Sequence, residues 1–255
     1  HKKQEVEQRK TRVPREILQE SIKKTSASRN FHTALKRENG PVKLLAEIKA
    51  ASPSQGVIRG DFDPAEIAKS YESCHAAAIS VLTDEKYFSG SDRHLQAAKA
   101  ATSVPILRKD FTIDEYQLYE SKAIGADAVL FMAQVLDRET YANLLEKARA
   151  LDLHVLAEGH TPEQIQFLVE VGADTIGINN RDFTTMQVDI QTTIQNRHLI
   201  PADRVVVSQS GIFRREEVIL LENAGVDAIQ VGTSIMLQDD VEVQLKQLLG
   251  RSFLL

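Results

Sequence analysis

Residues 125–131 read GADAVLF, residues 172–178 read GADTIGI and residues 225–231 read GVDAIQV, one phrase written three times at spacings near fifty residues. HAAAISVL at 75–82 is a looser fourth copy. In this phrase a small residue ends a helix, a turn follows and an aliphatic or β-branched run begins. A period of this length suits a repeated pair of βα units. Charged stretches with helical spacing, DRETYANLLEKARAL at 137–151 and RREEVILLENAG at 214–225, lie between such runs. Working outward, the apolar runs are LLAEIKA, AAISVLT, VPILRKDF, AVLFMA, HVLAEGH, TIGINN, RVVVSQS and AIQVGTS, eight in all. Eight near-continuous apolar strands, each followed by a helical segment, predict an α/β fold whose parallel sheet closes into a (β/α)8 TIM barrel. Residues 1–40 fall outside this count. VPREILQESIKK and SASRNFHTALKR there predict one or two extra helices, an N-terminal helical extension to a single domain spanning 1–255.

Composition narrows the function classes. With 42% hydrophobic residues, 26% charged residues and a net charge of −5, the chain has no basic excess of the kind nucleic acid requires. Cys74 is the single cysteine, so an intramolecular disulfide and a Cys-rich zinc site are excluded and a reducing compartment fits. No apolar run approaches the ~20 residues of a membrane span, and the polar N-terminus does not read as a signal peptide. The expectation is a cytoplasmic protein with neither membrane nor nucleic-acid partners. The seven histidines form no HxH or HExxH pair, so His154 and His160 read as strand-end polar residues rather than metal ligands.

A barrel of this kind carries its chemistry at the C-terminal ends of its strands, and polar residues gather there. Glu47 and Lys49 follow Leu45 at period two, Lys109 follows Leu107, Glu158 follows Leu156, Asn179 follows Gly177 and Gln209 follows Val207. Lysines and carboxylates in one apolar-walled mouth perturb each other's ionisation, which is how a site obtains an acid or base at neutral pH. Ser210 and Gly211 after the seventh strand, with Gly232, Thr233 and Ser234 after the eighth, offer backbone N–H groups where barrels commonly hold phosphate. SPSQG after the first strand adds the Ser52 and Ser54 hydroxyls.

The strings AEIKAASPSQG, TDEKYFSGS, ILRKDF, GADAVLF, GINNRDF and SQSGI, in this order, resemble the indole-3-glycerol-phosphate synthase family of tryptophan biosynthesis over nearly the whole chain. The resemblance implies a carbon–carbon lyase. Its reaction closes the indole ring of 1-(2-carboxyphenylamino)-1-deoxyribulose 5-phosphate with loss of carbon dioxide and water, without metal or organic cofactor. By this resemblance Lys109 is the general acid, Lys49 pairs with the carboxylate that leaves, Glu158 assists proton transfer during dehydration, and Glu47 and Asn179 hold these groups in register. Ser52, Gly211, Gly232 and Ser234 would bind the phosphate, and Phe88, Phe111 and Leu130 would wall the aromatic pocket. Arg181, Gln209, Ser210, Gln230 and Thr233 complete the substrate-contacting set. The expected partner is a small phosphorylated molecule, and the resemblance allows association with other tryptophan-pathway enzymes.

The chain also departs from the family pattern. Gln209 stands where a carboxylate facing the lysines is usual, Gln230 where an aliphatic residue is, Gly159 where Val or Ile is, and His75 where a glycine is; Thr233, Ala50 and Gln55 differ as well. Two readings follow: a synthase with tolerated substitutions, or a paralogue or engineered barrel whose altered pocket takes another phosphorylated or aromatic ligand. An aldolase using Lys109 as a Schiff base, and a non-catalytic phosphate-binding protein, are further alternatives.

Overall fold

The computed structural model describes residues 1–52, 56–57, 62–237 and 240–250. Eight parallel strands close a barrel: β1 Lys43–Ile48, β2 Ala78–Leu82, β3 Ile106–Lys109, β4 Ala128–Met132, β5 His154–Gly159, β6 Thr175–Asn179, β7 Val205–Gln209 and β8 Ala228–Val231. Each pairs with its neighbours in sequence, and β1 closes the ring against β8 with Leu45 opposite Gln230. Two short strands, Ala51–Ser52 and Gly56–Val57, pair antiparallel beyond β1.

Period-two alternation divides every strand between two cores. Leu44, Ala46, Ile48, Ile79, Val81, Val129, Phe131, Ile176, Ile178 and Val206 point outward and pack with the surrounding helices. Leu45, Ala78, Leu107, Ala128, Leu156, Val205, Val207 and Ala228 point inward and form a separate apolar cluster. Phe31 and Leu35 join that inner cluster, both fully buried, and plug the end of the barrel where the strands begin. They come from a short helix, α3 Phe31–Leu35, whose first turn is capped by Asn30 accepting from the Thr33 amide at 2.8 Å.

The N-terminal extension holds three helices, one more than the sequence predicts: α1 Lys2–Arg12 and α2 Arg15–Ile22 precede α3. Only Val6 of α1 is buried, so no apolar stripe announces it. Ion pairs hold it instead. Lys2 Nζ lies 2.8 Å from Asp84 and 2.7 Å from Asp110, and Arg9 lies 3.1 Å from Asp92 and 3.5 Å from Glu120.

The repeated phrase acquires a physical meaning here. Its glycines, Gly125, Gly172 and Gly225, all have positive φ, and His75 takes the same left-handed conformation at φ 58° in the looser copy. Two of its aspartates tie a strand start to the extension. Asp127 accepts from the Ile106 amide at 2.8 Å and the Arg29 amide at 2.7 Å, and Asp227 from the Val206 amide at 2.8 Å and the Arg37 amide at 3.1 Å. Among the described residues no helix is long and apolar enough to cross a membrane.

If the Phe31 plug supports the inner core, Phe31→Ala should cost about 3–5 kcal/mol, the range for deleting a buried aromatic side chain. Urea unfolding of the two proteins measures it, and a difference below about 1 kcal/mol would show that the barrel end closes without the plug.

Candidate active site

Along six of the eight inward rows the side chains turn from apolar to polar as the strand ends: Leu45 gives way to Glu47, Leu107 to Lys109, Leu156 to Glu158, Gly177 to Asn179, Val207 to Gln209 and Ala228 to Gln230. With Lys49 just beyond β1, these side chains line one cavity of about 360 Å³. Phe88, Phe111 and Leu130 form part of its apolar wall, and Arg181, Ser210, Gly211, Gly232, Thr233 and Ser234 line it as well. The structure therefore brings together the residues expected from the sequence, except on the first loop. The Ser52 side chain, Ser54 and Gln55 lie outside the described residues.

Glu47 organises the charges. Lys49 Nζ donates to its Oε1 at 2.8 Å, Lys109 Nζ to its Oε2 at 2.6 Å, and Gln230 Nε2 also to Oε2 at 2.8 Å. Burial is the largest single influence on Glu47 and opposes its ionisation, but Lys109 and Lys49 together outweigh it and hold the carboxyl well below the usual carboxylate range. Lys49 donates a second time, to Thr233 Oγ1 at 3.0 Å. Gly232 makes room for this arrangement, since a Cβ there would lie 2.5 Å from Glu47 Oε1.

Glu158 is the opposite case. Burial again dominates and here it wins, raising the carboxyl above its ordinary range despite the Lys109 charge and hydrogen bonds from Asn179 and Gln209; the Glu47 charge pushes the same way as burial. The cavity thus holds one carboxyl kept ionised and one that accepts a proton more readily, a pairing suited to proton transfer.

Gln209 corrects an expectation. Its hydrogen bonds reach neither lysine: Nε2 donates to Glu158 Oε2 at 3.0 Å and to Gln230 Oε1 at 2.7 Å. A carboxylate at this position would thus meet the oxygens of Glu158 and Gln230. Asn179 Oδ1 accepts from the Arg181 amide at 3.0 Å, and His160 Nδ1 lies 2.7 Å from the Asn179 carbonyl oxygen, which anchors the loop after β6.

The loops after β7 and β8 meet at one side of the mouth. Ser210 and Gly211 both have positive φ, and a Cβ on Gly211 would fall 2.4 Å from Val188 Cγ1. Ser234, in the first turn of the Thr233–Met236 helix, donates its Oγ hydrogen to the Ile212 carbonyl at 3.0 Å and so ties the two loops together.

Sequence reasoning missed a group behind β3. Arg108, the outward neighbour of Lys109, is buried and donates to Thr83 Oγ1 at 3.1 Å, Ser121 Oγ at 3.1 Å and Asp92 Oδ1 at 2.9 Å. Asp84 and Asp110 line the cavity and are joined by Lys2 of α1. Asp84 also accepts from the Tyr87 amide at 2.7 Å, setting the turn that presents Tyr87 edge-on to Phe111. A charged residue at an outward strand position was the available signal for Arg108.

Residues 1–248 match the indole-3-glycerol phosphate synthase family. The chain is 39% identical over 248 residues to indole-3-glycerol phosphate synthase of Alkaliphilus metalliredigens, covering 97% of this chain and 95% of that protein. It is 44% identical over 243 residues to the enzyme of that name from Thermoanaerobacter sp., covering 95% and 92%. Among solved structures, 3-hexulose-6-phosphate synthase from Salmonella typhimurium shares the fold at a TM-score of 0.64 and 15% identity, covering 82% of this chain and 97% of that one.

The Asp110 environment has a consequence for stability. Burial opposes its ionisation, but Arg108 and Lys2 outweigh burial and lower its folded-state pKa. Its contribution is therefore complete above the unfolded value of about 3.9 and is lost as pH falls through the lower folded value. Asp110→Asn should lower stability at neutral pH and flatten its decline below about pH 4. Urea unfolding across that range measures both effects, and an unchanged acid slope would remove Asp110 from the account.

Proposed function

The chain belongs to the indole-3-glycerol phosphate synthase family and is a carboxy-lyase of tryptophan biosynthesis; from that premise we propose how its residues divide the work. The substrate, 1-(2-carboxyphenylamino)-1-deoxyribulose 5-phosphate, must form one carbon–carbon bond, release carbon dioxide and lose water. Ring closure puts charge on the ribulose carbonyl oxygen, and Lys109 donates a proton to it as the aromatic carbon attacks. Lys49 faces the benzoate carboxylate, which leaves as carbon dioxide when the ring recovers its aromaticity. Glu158 then takes and returns a proton as the hydroxyl departs as water. Phe88, Phe111 and Leu130 hold the aromatic ring, and the backbone around Gly211, Gly232 and Ser234 holds the phosphate.

The observation that carries this division is the sharing of Glu47. Each ammonium rests on a different oxygen of one carboxylate, 2.8 Å for Lys49 and 2.6 Å for Lys109, so the two lysines are aimed separately rather than used interchangeably. A site with two ammonium groups on one firmly ionised carboxylate also favours an anionic ligand, as this substrate is. Family membership further supports a cytoplasmic enzyme working beside others of its pathway, a reading tested by co-purification with them.

The central experiment follows indole fluorescence with this substrate. Turnover should persist in EDTA; activity lost to the chelator and restored by a divalent ion would overturn the metal-free scheme. Lys109→Ala should lower kcat far more than it raises KM, because an acid acts mainly in the transition state. Lys49→Ala should damage both, since a carboxylate anchor is used in the ground state too. Near-normal kcat in Lys109→Ala would take the acid role away from Lys109.

A further inference from the structure

Across the mouth of the barrel the hydrogen bonds of four side chains form one directed series. Gln230 Nε2 donates to Glu47 Oε2 at 2.8 Å, Gln230 Oε1 accepts from Gln209 Nε2 at 2.7 Å, and the same Gln209 nitrogen donates to Glu158 Oε2 at 3.0 Å. Gln209 Oε1 is buried with no hydrogen-bond partner. It lies against Gly177, where a Cβ would approach it to 2.1 Å. An orphaned buried carbonyl is costly, and something must hold the amide in this orientation.

Glu47 supplies the reason. With an ammonium on each oxygen it is an acceptor only, so the end of Gln230 that meets it must be the NH₂ group. The Gln230 carbonyl is then turned toward Gln209 and must receive a donor. Gln209 therefore presents its own NH₂ group, which has two hydrogens and serves both Gln230 and Glu158. Rotating either amide would set oxygen against oxygen at one of these contacts. The direction of the whole series is decided at Glu47, two residues away from Glu158.

We propose that Gln230 and Gln209 form a polarised amide relay through which the Glu47 carboxylate fixes Glu158 Oε2 as a hydrogen-bond acceptor, so that Glu158 exchanges its proton at Oε1 alone. Gln230 is then a positioning residue for a carboxyl it does not touch. This deepens the role given above to Glu158, because a proton confined to one atom has one direction of delivery. It also gives Gln209 and Gln230 a joint purpose. The other groups acting on Glu158 are Lys109 from β3, Glu47 from β1 and Asn179 from β6. The relay adds to them a donor that cannot reverse and so favours the ionised form against burial.

The test titrates Glu158 directly. Infrared difference spectra across pH, with Glu158→Gln identifying its carboxylic C=O band, give its apparent pKa without substrate. Gln230→Met, of similar length but unable to donate or accept, should free Gln209 to turn its carbonyl toward the protonated acid and raise that pKa by about one unit. Gln209→Met should raise it comparably by removing the donor. The double variant should match Gln209→Met alone, because Gln230 acts only through Gln209. With substrate, the acid limb of kcat should move upward in step. An unmoved Glu158 titration in Gln230→Met would overturn the relay, as would a Gln230 effect of equal size in the Gln209→Met background. Gln230→Leu repeats the measurement should the methionine variant not fold. Because the infrared titration needs no turnover, failure of the relay and failure of the assigned chemistry are seen separately.

Discussion

A single carboxylate shared by two ammonium groups, at the mouth of a barrel whose lower layers are mostly apolar, is the constraint around which this site is arranged. Removing one partner from a buried ion pair strands the other charge at a cost of several kcal/mol, so the three groups stand together. Their surroundings are shaped to fit. Gly232 leaves space for Glu47, Thr233 accepts a second hydrogen of Lys49, and Gln230 occupies the remaining acceptor direction of Oε2. Below them the inner core is mostly apolar down to Phe31 and Leu35, interrupted by the uncharged hydroxyls of Ser80 and Thr175, and the charged groups gather at the mouth.

Strand β3, which supplies Lys109, carries a second ion network on its other face. Lys109 points into the barrel while Arg108 points outward to Thr83, Ser121 and Asp92. Asp110, the next residue, receives Lys2 from α1 and the hydroxyl of Thr83. The N-terminal extension is thereby attached to the barrel at both ends: through the aspartates of the repeated phrase where the strands begin, and through Lys2 where they finish. Its first helix is polar because charge, rather than apolar area, secures it.

The eight strands and the inward row on each were legible in the sequence because both are local. A period of two assigns faces within a strand, and a turn phrase repeated three times marks where strands begin. Lys49, Lys109, Glu158, Asn179 and Gln209 could therefore be assigned to one mouth from their positions alone. α1 was not legible as a helix, since its partners Asp84, Asp92, Asp110 and Glu120 are distant in sequence and its own residues carry no apolar stripe.

The partners of Gln209 show where sequence reasoning ends. Alternation along β7 places its side chain inside the barrel, yet only closure of the sheet brings it against Glu158 of β5 and Gln230 of β8 rather than either lysine. The amino-acid order by itself determined the alternation of strand and helix, the closed parallel architecture and the set of polar side chains that share its mouth. Tertiary structure alone decided which of those side chains touch and in which direction each hydrogen bond runs. Those contacts join strands remote in sequence, and their direction is inherited from the charge on Glu47.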